Sequence, residues 1–222
     1  MGFVKERLTK LYLSCNTTQA LSYLSSLPLF EQEIDNHYQS ECEIIKVQSI
    51  FLYPLKNYLL SRGIGEKQWK HVQEIHYKVP NHDTIFYSIG FKSDKENCYE
   101  LRSSVFKGCS GKDITTIQNG YSKIILFEGF FDYLTFLVLY PMVNADFLIM
   151  NSTSMLDRTQ DFLKQNQYET IVLMLDNDKS GTEATNKLLT EFGNAKDKSG
   201  IYSPTHKDLN ELLIEKLTLK YR

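Results

Sequence analysis

Two apolar runs in the second half of the chain each end in carboxylates. The run KIILF at 123–127 leads into Glu128, and the run TIVLML at 170–175 leads into Asp176 and Asp178. A strand in a parallel sheet that is buried on both faces is apolar along its whole length, and ligands bind where its carboxyl end opens into a loop. The sequence therefore predicts that these three acids meet at one edge of a parallel sheet.

Three acids in one place predict a magnesium site. Two carboxylates ~4 Å apart repel each other by about 4 kcal/mol at an effective dielectric constant of ~20, and a cation between them removes that repulsion. Asp176 and Asp178 stand two residues apart, so in extended backbone both side chains point the same way. A hard divalent ion with oxygen ligands fits such a site, which indicates Mg²⁺, with Mn²⁺ as a substitute.

Each of these acids also has a purely structural interpretation. An acid such as Glu128 is typical of a helix N-terminus, where the macrodipole favours negative charge. Asp176 would then only end a strand, and Asp178 would only begin a loop. Two glycines flank the acids. Gly129 is predicted to allow a tight bend and the approach of a ligand, and Gly181 is predicted to open the following helix.

From residue 121 onward, strand-like and helix-like segments alternate. The predicted strands are KIILFE, DFLIMN, TIVLMLD and SGIYS, and the predicted helices are FDYLTFLVLY, MLDRTQDFLKQN, TEATNKLLTEF and DLNELLIEKL. Capping-box spacing marks three helix starts, at Ser154, Ser180 and Thr205, and Gly193 has the position of a C-terminal helix glycine. This order predicts an α/β fold with a Rossmann-like, doubly wound parallel sheet and helices on both faces.

The preceding region predicts a different architecture. Residues 1–27 are expected to be helical, and residues 28–48 to form a polar connector. A helix at 54–62 then precedes three strands within IHYKV, TIFYSIGF and CYELRS, which indicate an antiparallel meander. Residues 103–120 are expected to be rich in loops. The predicted organisation is a helical lead-in and connector at 1–48, a smaller α+β subdomain at 49–120 and the α/β domain at 121–222.

The charge is distributed unevenly along the chain. The net charge of −2 argues against a general nucleic-acid binder. Residues 56–112 nevertheless hold ten Lys or Arg against six Asp or Glu, a local excess of four positive charges. This excess indicates either a basic binding surface or an ordinary solvated face.

Cysteine spacing and hydropathy bear on zinc and on the membrane. The four cysteines form no CxxC pair, so the sequence predicts no zinc site and no disulfide framework. No apolar run approaches the ~20 residues that span a bilayer, and the first residues lack a signal-peptide pattern. A cytoplasmic location without membrane attachment is the expectation.

Four short motifs carry a resemblance to a known family. EGFFD at 128–132, NSTS at 151–154, LDNDKSG at 175–181 and KDLNELL at 207–213 resemble the Toprim domain of DnaG-type bacterial primases, which also occurs in topoisomerases and some nucleases. The resemblance implies acid–base chemistry for Glu128 and Mg²⁺ binding by Asp176 and Asp178. It also implies that Asp208 is a third acid of the metal site, although Thr205-x-x-Asp208 equally has the spacing of a capping box.

The region before the Toprim-like motifs is similar to the basic subdomain of primases. It looks closest to that of short Toprim proteins carried on Bacteroides-type mobile elements. This similarity implies that Arg102, Lys107 and Lys112 contact phosphates of a single-stranded DNA template and of nucleoside triphosphates. The alternative for Arg102 is a strand residue that faces water.

The implied function is Mg²⁺-dependent nucleotidyl transfer on single-stranded DNA, in DNA replication or mobile-element transfer. Such primases begin with a Cys/His zinc module and end in a helicase-binding domain, and neither is recognised in this sequence. A helicase or a zinc-bearing partner acting in trans is therefore expected. Two alternatives stay open at this stage: a Toprim nuclease, and a catalytically weak nucleic-acid-binding remnant of a primase.

Overall fold

The computed structural model describes residues 42–80 and 82–220; the helices expected within residues 1–27 and the connector up to residue 41 lie outside the described residues. The strands are β1 (Glu43–Gln48), β2 (Gln73–Lys78), β3 (Phe86–Lys92), β4 (Tyr99–Arg102), β5 (Lys107–Cys109), β6 (Thr115–Ile117), β7 (Lys123–Phe127), β8 (Asp146–Ile149), β9 (Thr170–Met174) and β10 (Ala195–Asp197). The α-helices are α1 (Tyr53–Ser61), α2 (Phe130–Leu139), α3 (Leu156–Gln165), α4 (Lys179–Glu191) and α5 (Leu209–Lys220), and 3-10 helices cover Glu66–His71, Thr153–Met155 and Ser199–Ile201.

Strands β1 to β5 form an antiparallel sheet in sequence order. Strands β2, β3 and β4 confirm the predicted meander. The expectation of a connector is wrong for residues 43–48, which form β1, and the loop-rich expectation is wrong for β5. Strand β1 leaves most of its residues exposed, and β5 has only three residues, so neither shows the alternation of apolar and polar residues that marks a strand.

The second sheet has the strand order β10-β9-β7-β8-β6. Its first four strands are mutually parallel, and the short strand β6 pairs antiparallel with β8 at the edge. The prediction of a parallel α/β sheet is therefore confirmed. Strand β6 corrects the loop-rich expectation a second time, because its three residues pair only through a partner that lies about 30 residues later in the chain.

Alternate residues of the central strand β7 face two separate cores. Ile125 and Phe127 pack in the core that includes α2, whereas Ile124 and Leu126 pack in the core that includes α3 and α4. Helices therefore cover both faces of the sheet, as the doubly wound prediction requires. Because β7 is buried on both sides, its carboxyl end is the part of the strand that opens to a ligand.

The last predicted strand was misplaced. The edge strand is Ala195–Asp197, and within SGIYS the residues Ser199–Ile201 form a 3-10 helix. The Tyr202 hydroxyl donates a hydrogen bond of 2.6 Å to the buried carbonyl of Leu175. The Tyr202 side chain packs at the end of β9, and SGIYS adds no strand to the sheet edge. The local apolar pattern of SGIYS does not reveal this contact.

The helix starts also differ from the predicted capping boxes. Ser152, not Ser154, accepts the backbone N–H at the 3-10 turn before α3. Asp178, not Ser180, caps α4 by accepting the Gly181 N–H at 2.9 Å. Asp208 accepts the Glu211 N–H at the start of α5, at 2.8 Å, so the Thr205 box is wrong as well. Gly193 does not have the positive φ of a C-terminal helix glycine.

The two sheets share one core. Phe91 on β3 stacks on Phe130 at the start of α2, with ring centroids 5.0 Å apart and planes at 12°. Leu55 and Leu59 of α1 are fully buried in the same cluster. The antiparallel sheet is thereby held directly beside the helix that follows Glu128. Among the described residues, no helix is both long and apolar enough to cross a bilayer.

Candidate active site

The acids predicted from the sequence lie at the carboxyl edge of the parallel sheet. Strands β7 and β9 are neighbours, and Phe127 pairs with Met174 in their register. Glu128 follows β7 directly and Asp176 lies two residues after the end of β9, so both leave the sheet at the same edge. Asp178 follows within the same loop and caps α4. The predicted convergence of Glu128, Asp176 and Asp178 therefore agrees with the topology.

A lysine that the sequence did not single out lies between the two aspartates. The Lys207 Nζ is 3.2 Å from Asp178 Oδ2 and 3.4 Å from Asp176 Oδ2. Its backbone is tied to the same loop, because the Asn177 N–H donates to the Lys207 carbonyl at 2.7 Å. Asn177 Nδ2 also donates to the His206 carbonyl at 2.8 Å. Lys207 directly precedes Asp208 in the KDLN motif, and this position was the sequence signal that could have pointed to it as a site residue.

Glu128 has incomplete hydrogen bonding. Its Oε2 is buried and has no hydrogen-bond partner among the described residues. Burial raises the pKa of Glu128 to about 7, with further increases from the charges of Asp176 and Asp178, while Lys207 and Lys107 lower it. A carboxyl group with a pKa near neutrality and a free oxygen is suited to accept or donate a proton.

The two aspartates after β9 differ from each other. Burial, followed by the charge of Asp208, raises the pKa of Asp176 to about 6, although Lys207 opposes this shift. The pKa of Asp178 falls to about 2, chiefly because its carboxylate accepts the Gly181 backbone N–H. Asp178 therefore stays ionised and also begins a helix, so the functional and structural interpretations of this residue are compatible.

Asp132 is an acid of this region that the site prediction missed. It is 6% exposed on α2 and accepts the Asn210 N–H at 3.1 Å. Its pKa is raised well above the usual value by burial and by the charges of Asp208 and Asp176. Asn210 Nδ2 also donates to the Arg62 carbonyl and to Thr135 Oγ1. This cluster therefore joins α2, α5 and the end of α1 beneath the acids.

The two glycines have different roles. A Cβ on Gly181 would lie 2.1 Å from the Asp176 carbonyl oxygen, so only glycine fits there. Gly181 does not open its helix, however, since α4 begins at Lys179. Gly129 has a φ of −122°, which any residue adopts, and a Cβ there would meet only Asp132 Oδ2 at 3.4 Å. The predicted need for a tight bend at Gly129 is therefore wrong.

The three predicted basic residues differ in exposure and in hydrogen bonding. Arg102 donates through Nη1 to the carbonyls of Leu101 and Gly108, both at 2.9 Å, and through Nη2 to Glu100 at 3.0 Å. Its side chain is 14% exposed, so the alternative of a strand residue facing water is wrong, and the guanidinium mainly holds β4 and β5 together. Lys107 and Lys112 are exposed, and the charge of Lys107 reaches Glu128.

The chemistry of this acid cluster is consistent with a bound metal ion, but its side chains are not arranged as a complete set of metal ligands. Among the described residues, no three His, Cys, Asp or Glu side chains are arranged to hold a metal ion. Two observations nevertheless fit a divalent cation here. A cationic ammonium already bridges Asp176 and Asp178, and the buried Glu128 Oε2 has no partner among the described residues.

The comparisons with known proteins agree with this architecture. Residues 125–213 match the family model described as Toprim-like, and this range includes Glu128, Asp176, Asp178, Lys207 and Asp208. Residues 44–111 match a domain of unknown function (DUF8464) that coincides with the antiparallel sheet. The second half of the chain is therefore similar to Toprim-like domains, and the region before it is similar to a separate family of domains. No curated protein matches the chain.

Solved structures place the same fold in primases. The primase fragment of the bacteriophage T7 primase-helicase protein is similar with a TM-score of 0.55 and 20% identity, over 77% of this chain and 76% of that one. A chain from a complex of bacteriophage T7 lagging-strand DNA polymerase with primase domains bound to an RNA/DNA hybrid and dTTP gives a TM-score of 0.53 and 19% identity, over 76% and 92%. The described fold is thus similar to the fold of the T7 primase fragment.

Proposed function

We propose that this protein is a Mg²⁺-dependent, primase-type nucleotidyltransferase that joins nucleotides on a single-stranded DNA template during replication or mobile-element transfer. The observation that carries the proposal is the position of Glu128. Its Oε2 has no partner among the described residues and lies at the carboxyl edge of a Toprim-like sheet. Beside it, Asp176 and Asp178 already form ion pairs with the ammonium of Lys207. The likeness to the primase fragment supports the fold on which this chemistry depends.

Asp176, Asp178 and Asp208 are the residues that would hold Mg²⁺. Asp208 belongs with them because its charge acts on Asp176, and its second oxygen is not used by the helix cap. When bound, Mg²⁺ stabilises the negative charge that develops on the attacking and leaving oxygens of phosphoryl transfer. Mn²⁺ has the same charge and accepts the same oxygen ligands.

Glu128 serves as the proton acceptor in this proposal. Its Oε2 takes the proton of the attacking 3′-hydroxyl, and its pKa of about 7 suits that role near neutral pH. Burial and the neighbouring aspartates raise that pKa, so the same features that make Glu128 costly to ionise make it an effective base.

Lys107 and Lys112 are proposed to bind phosphates of the template strand or of the incoming nucleoside triphosphate. Both are exposed, and the charge of Lys107 lowers the pKa of Glu128. Arg102 supports Lys107 by tying its strand, β5, to β4. Phosphate contacts of this kind position the nucleic acid without reading its sequence.

The test is a product analysis with purified protein, single-stranded DNA, labelled nucleoside triphosphates and Mg²⁺. Labelled oligonucleotides that grow with time support nucleotidyl transfer, and their loss in Glu128→Gln and Asp176→Asn assigns the synthesis to this site. Shortened DNA instead indicates a nuclease, in which water replaces the 3′-hydroxyl. Tight DNA binding without either product indicates a catalytically weak remnant. Repeating the assay with a helicase or a zinc-bearing protein of the same element tests the proposed partner in trans.

A further inference from the structure

The ammonium of Lys207 takes the place that a metal ion would be expected to fill. It lies within 3.4 Å of one oxygen from each of Asp176 and Asp178. These are the two carboxylates that a divalent cation would have to bridge. The Asp176 side chain is only 13% exposed, so it has little water to stabilise its charge, and the lysine supplies the nearest compensation.

The backbone of Lys207 is fixed independently of its side chain. Its carbonyl accepts the Asn177 N–H at 2.7 Å, and its own N–H donates to Glu211 Oε2 at 2.8 Å. The side chain itself is 49% exposed. The ammonium is therefore able to swing into solvent on its flexible stem while both loops keep their positions.

We propose that Lys207 is a built-in counter-ion of Asp176 and Asp178, which a divalent cation must displace in order to bind. The inference rests on the proposed metal site and adds a competitor to it. With the ammonium in place, the attraction of both carboxylates to Lys207 offsets their mutual repulsion without a metal ion. Metal binding then costs the loss of two ion pairs, and the affinity of the site for Mg²⁺ or Mn²⁺ is lower than its carboxylates alone would give.

The experiment compares Mn²⁺ affinity in the full-length protein and in Lys207→Gln by isothermal titration calorimetry. Because a half-exposed ion pair contributes a modest free energy, its removal is expected to tighten Mn²⁺ binding by about fivefold. Lys187→Gln is the matched control, since Lys187 is exposed on α4 and its loss changes the net charge equally. The control is expected to bind Mn²⁺ as the unchanged protein does.

Two further measurements separate displacement from a general effect of charge. Lys207→Arg keeps the cation and is expected to bind Mn²⁺ no more tightly than the unchanged protein. In the unchanged protein, acetylation of Lys207 by acetic anhydride, followed by mass spectrometry, is expected to rise when Mn²⁺ is added, because the freed amine becomes reactive. That measurement needs no variant and decides the question even where Lys207→Gln does not fold.

Equal or weaker Mn²⁺ binding by Lys207→Gln, or a Lys207 reactivity that Mn²⁺ leaves unchanged, would overturn the inference. Weaker binding in particular would mean that the lysine holds the carboxylates in place for the metal ion. The outcome is distinguishable from that of the proposed function. A protein that shows the competition but makes no labelled product loses only the nucleotidyl-transfer proposal, whereas one that synthesises DNA or RNA with no competition loses only this inference.

Discussion

Two glutamates, the fully buried Glu74 and the partly buried Glu128, have very different surroundings in this chain. Glu74 on β2 is fully buried, and both of its oxygens are occupied. It accepts the backbone N–H groups of Phe51 and Leu52 at 2.9 and 2.7 Å, and it also bonds to Gln48 at 2.6 Å and His76 at 2.7 Å. Glu128 after β7 instead has a buried oxygen with no partner among the described residues.

The pKa values of the two glutamates follow from these surroundings. Burial raises the pKa of Glu74, but the hydrogen bonds from Leu52, His76, Phe51 and Gln48 outweigh it and leave the pKa below its usual value. Burial also raises the pKa of Glu128, and nearby acids add to the increase. A carboxylate whose hydrogen bonds are complete stabilises the fold, whereas one left incomplete is available for chemistry. The comparison therefore assigns Glu74 a structural role and supports the proposed catalytic role of Glu128.

The largest expected effect is the loss of nucleotidyl transfer in Glu128→Gln. The amide keeps the shape of the side chain but accepts no proton, so the rate of nucleotidyl transfer should fall about a thousandfold. Its thermal stability should not fall, since no hydrogen bond to Oε2 is lost and a buried charge is removed. The rate is measured with labelled nucleotides and the stability by thermal melting. Full activity in this variant would return Glu128 to the helix-terminus interpretation.

Glu74→Gln is expected to do the reverse. The carboxylate of Glu74 now accepts hydrogen bonds from N–H groups, and the NH₂ of an amide cannot accept them. The loss of these charge-assisted hydrogen bonds should lower the free energy of unfolding by about 3 kcal/mol. The melting temperature should fall by about 10 °C. Glu66→Gln, at an exposed position in the 3-10 helix before β2, is the control. A variant that melts like the unchanged protein but loses activity would contradict the structural assignment of Glu74.

The sequence was sufficient for the core of the α/β domain. The strands that precede Glu128 and Asp176 are apolar after their first residue, as expected where helices cover both faces. Length and composition therefore indicated a parallel sheet with acids at its edge. Strands β5 and β6 have three residues each, and SGIYS looked like a strand but forms a turn. In these cases the structure depends on a contact with a segment elsewhere in the chain, and the local sequence pattern does not identify that segment.

The site was predicted in part for a similar reason. Acids that directly follow a strand could be found from their neighbours in sequence. The bond between Asp132 and Asn210 joins residues 78 positions apart, and the Lys207 ion pairs join loops about 30 positions apart. The internal hydrogen bonds of Arg102 depend on where β5 pairs. Such contacts follow from the tertiary arrangement, which no local spacing reveals.

Gly181→Ala tests whether the backbone around Asp176 and Asp178 needs a glycine, in contrast to the backbone after Glu128. The added Cβ would lie 2.1 Å from the Asp176 carbonyl oxygen, so the loop that holds Asp176 and Asp178 must shift. We expect a loss of about 2 kcal/mol in the free energy of unfolding, as for overpacking in a close-packed region, together with weaker Mn²⁺ binding. Gly129→Ala is the matched control and should be close to neutral. Chemical denaturation of both variants measures the difference, and equal stabilities would contradict it.

The smallest expected effect is a pair of opposite pH dependences, measured as stability against pH in the presence of a chelator. The pKa of Glu128 is raised in the folded protein, so the fold binds its proton more tightly than the unfolded chain does. Its contribution to stability is therefore present below its ordinary pKa of 4.5 and is lost as the pH rises to about 7. The pKa of Glu74 is lowered, so its contribution is present above 4.5 and is lost as the pH falls through the lower folded value. Glu128→Gln should flatten the curve between pH 4.5 and 7, and Glu74→Gln should flatten it below 4.5. Identical curves for the two variants would show that the two glutamates do not differ in the way their hydrogen bonds require.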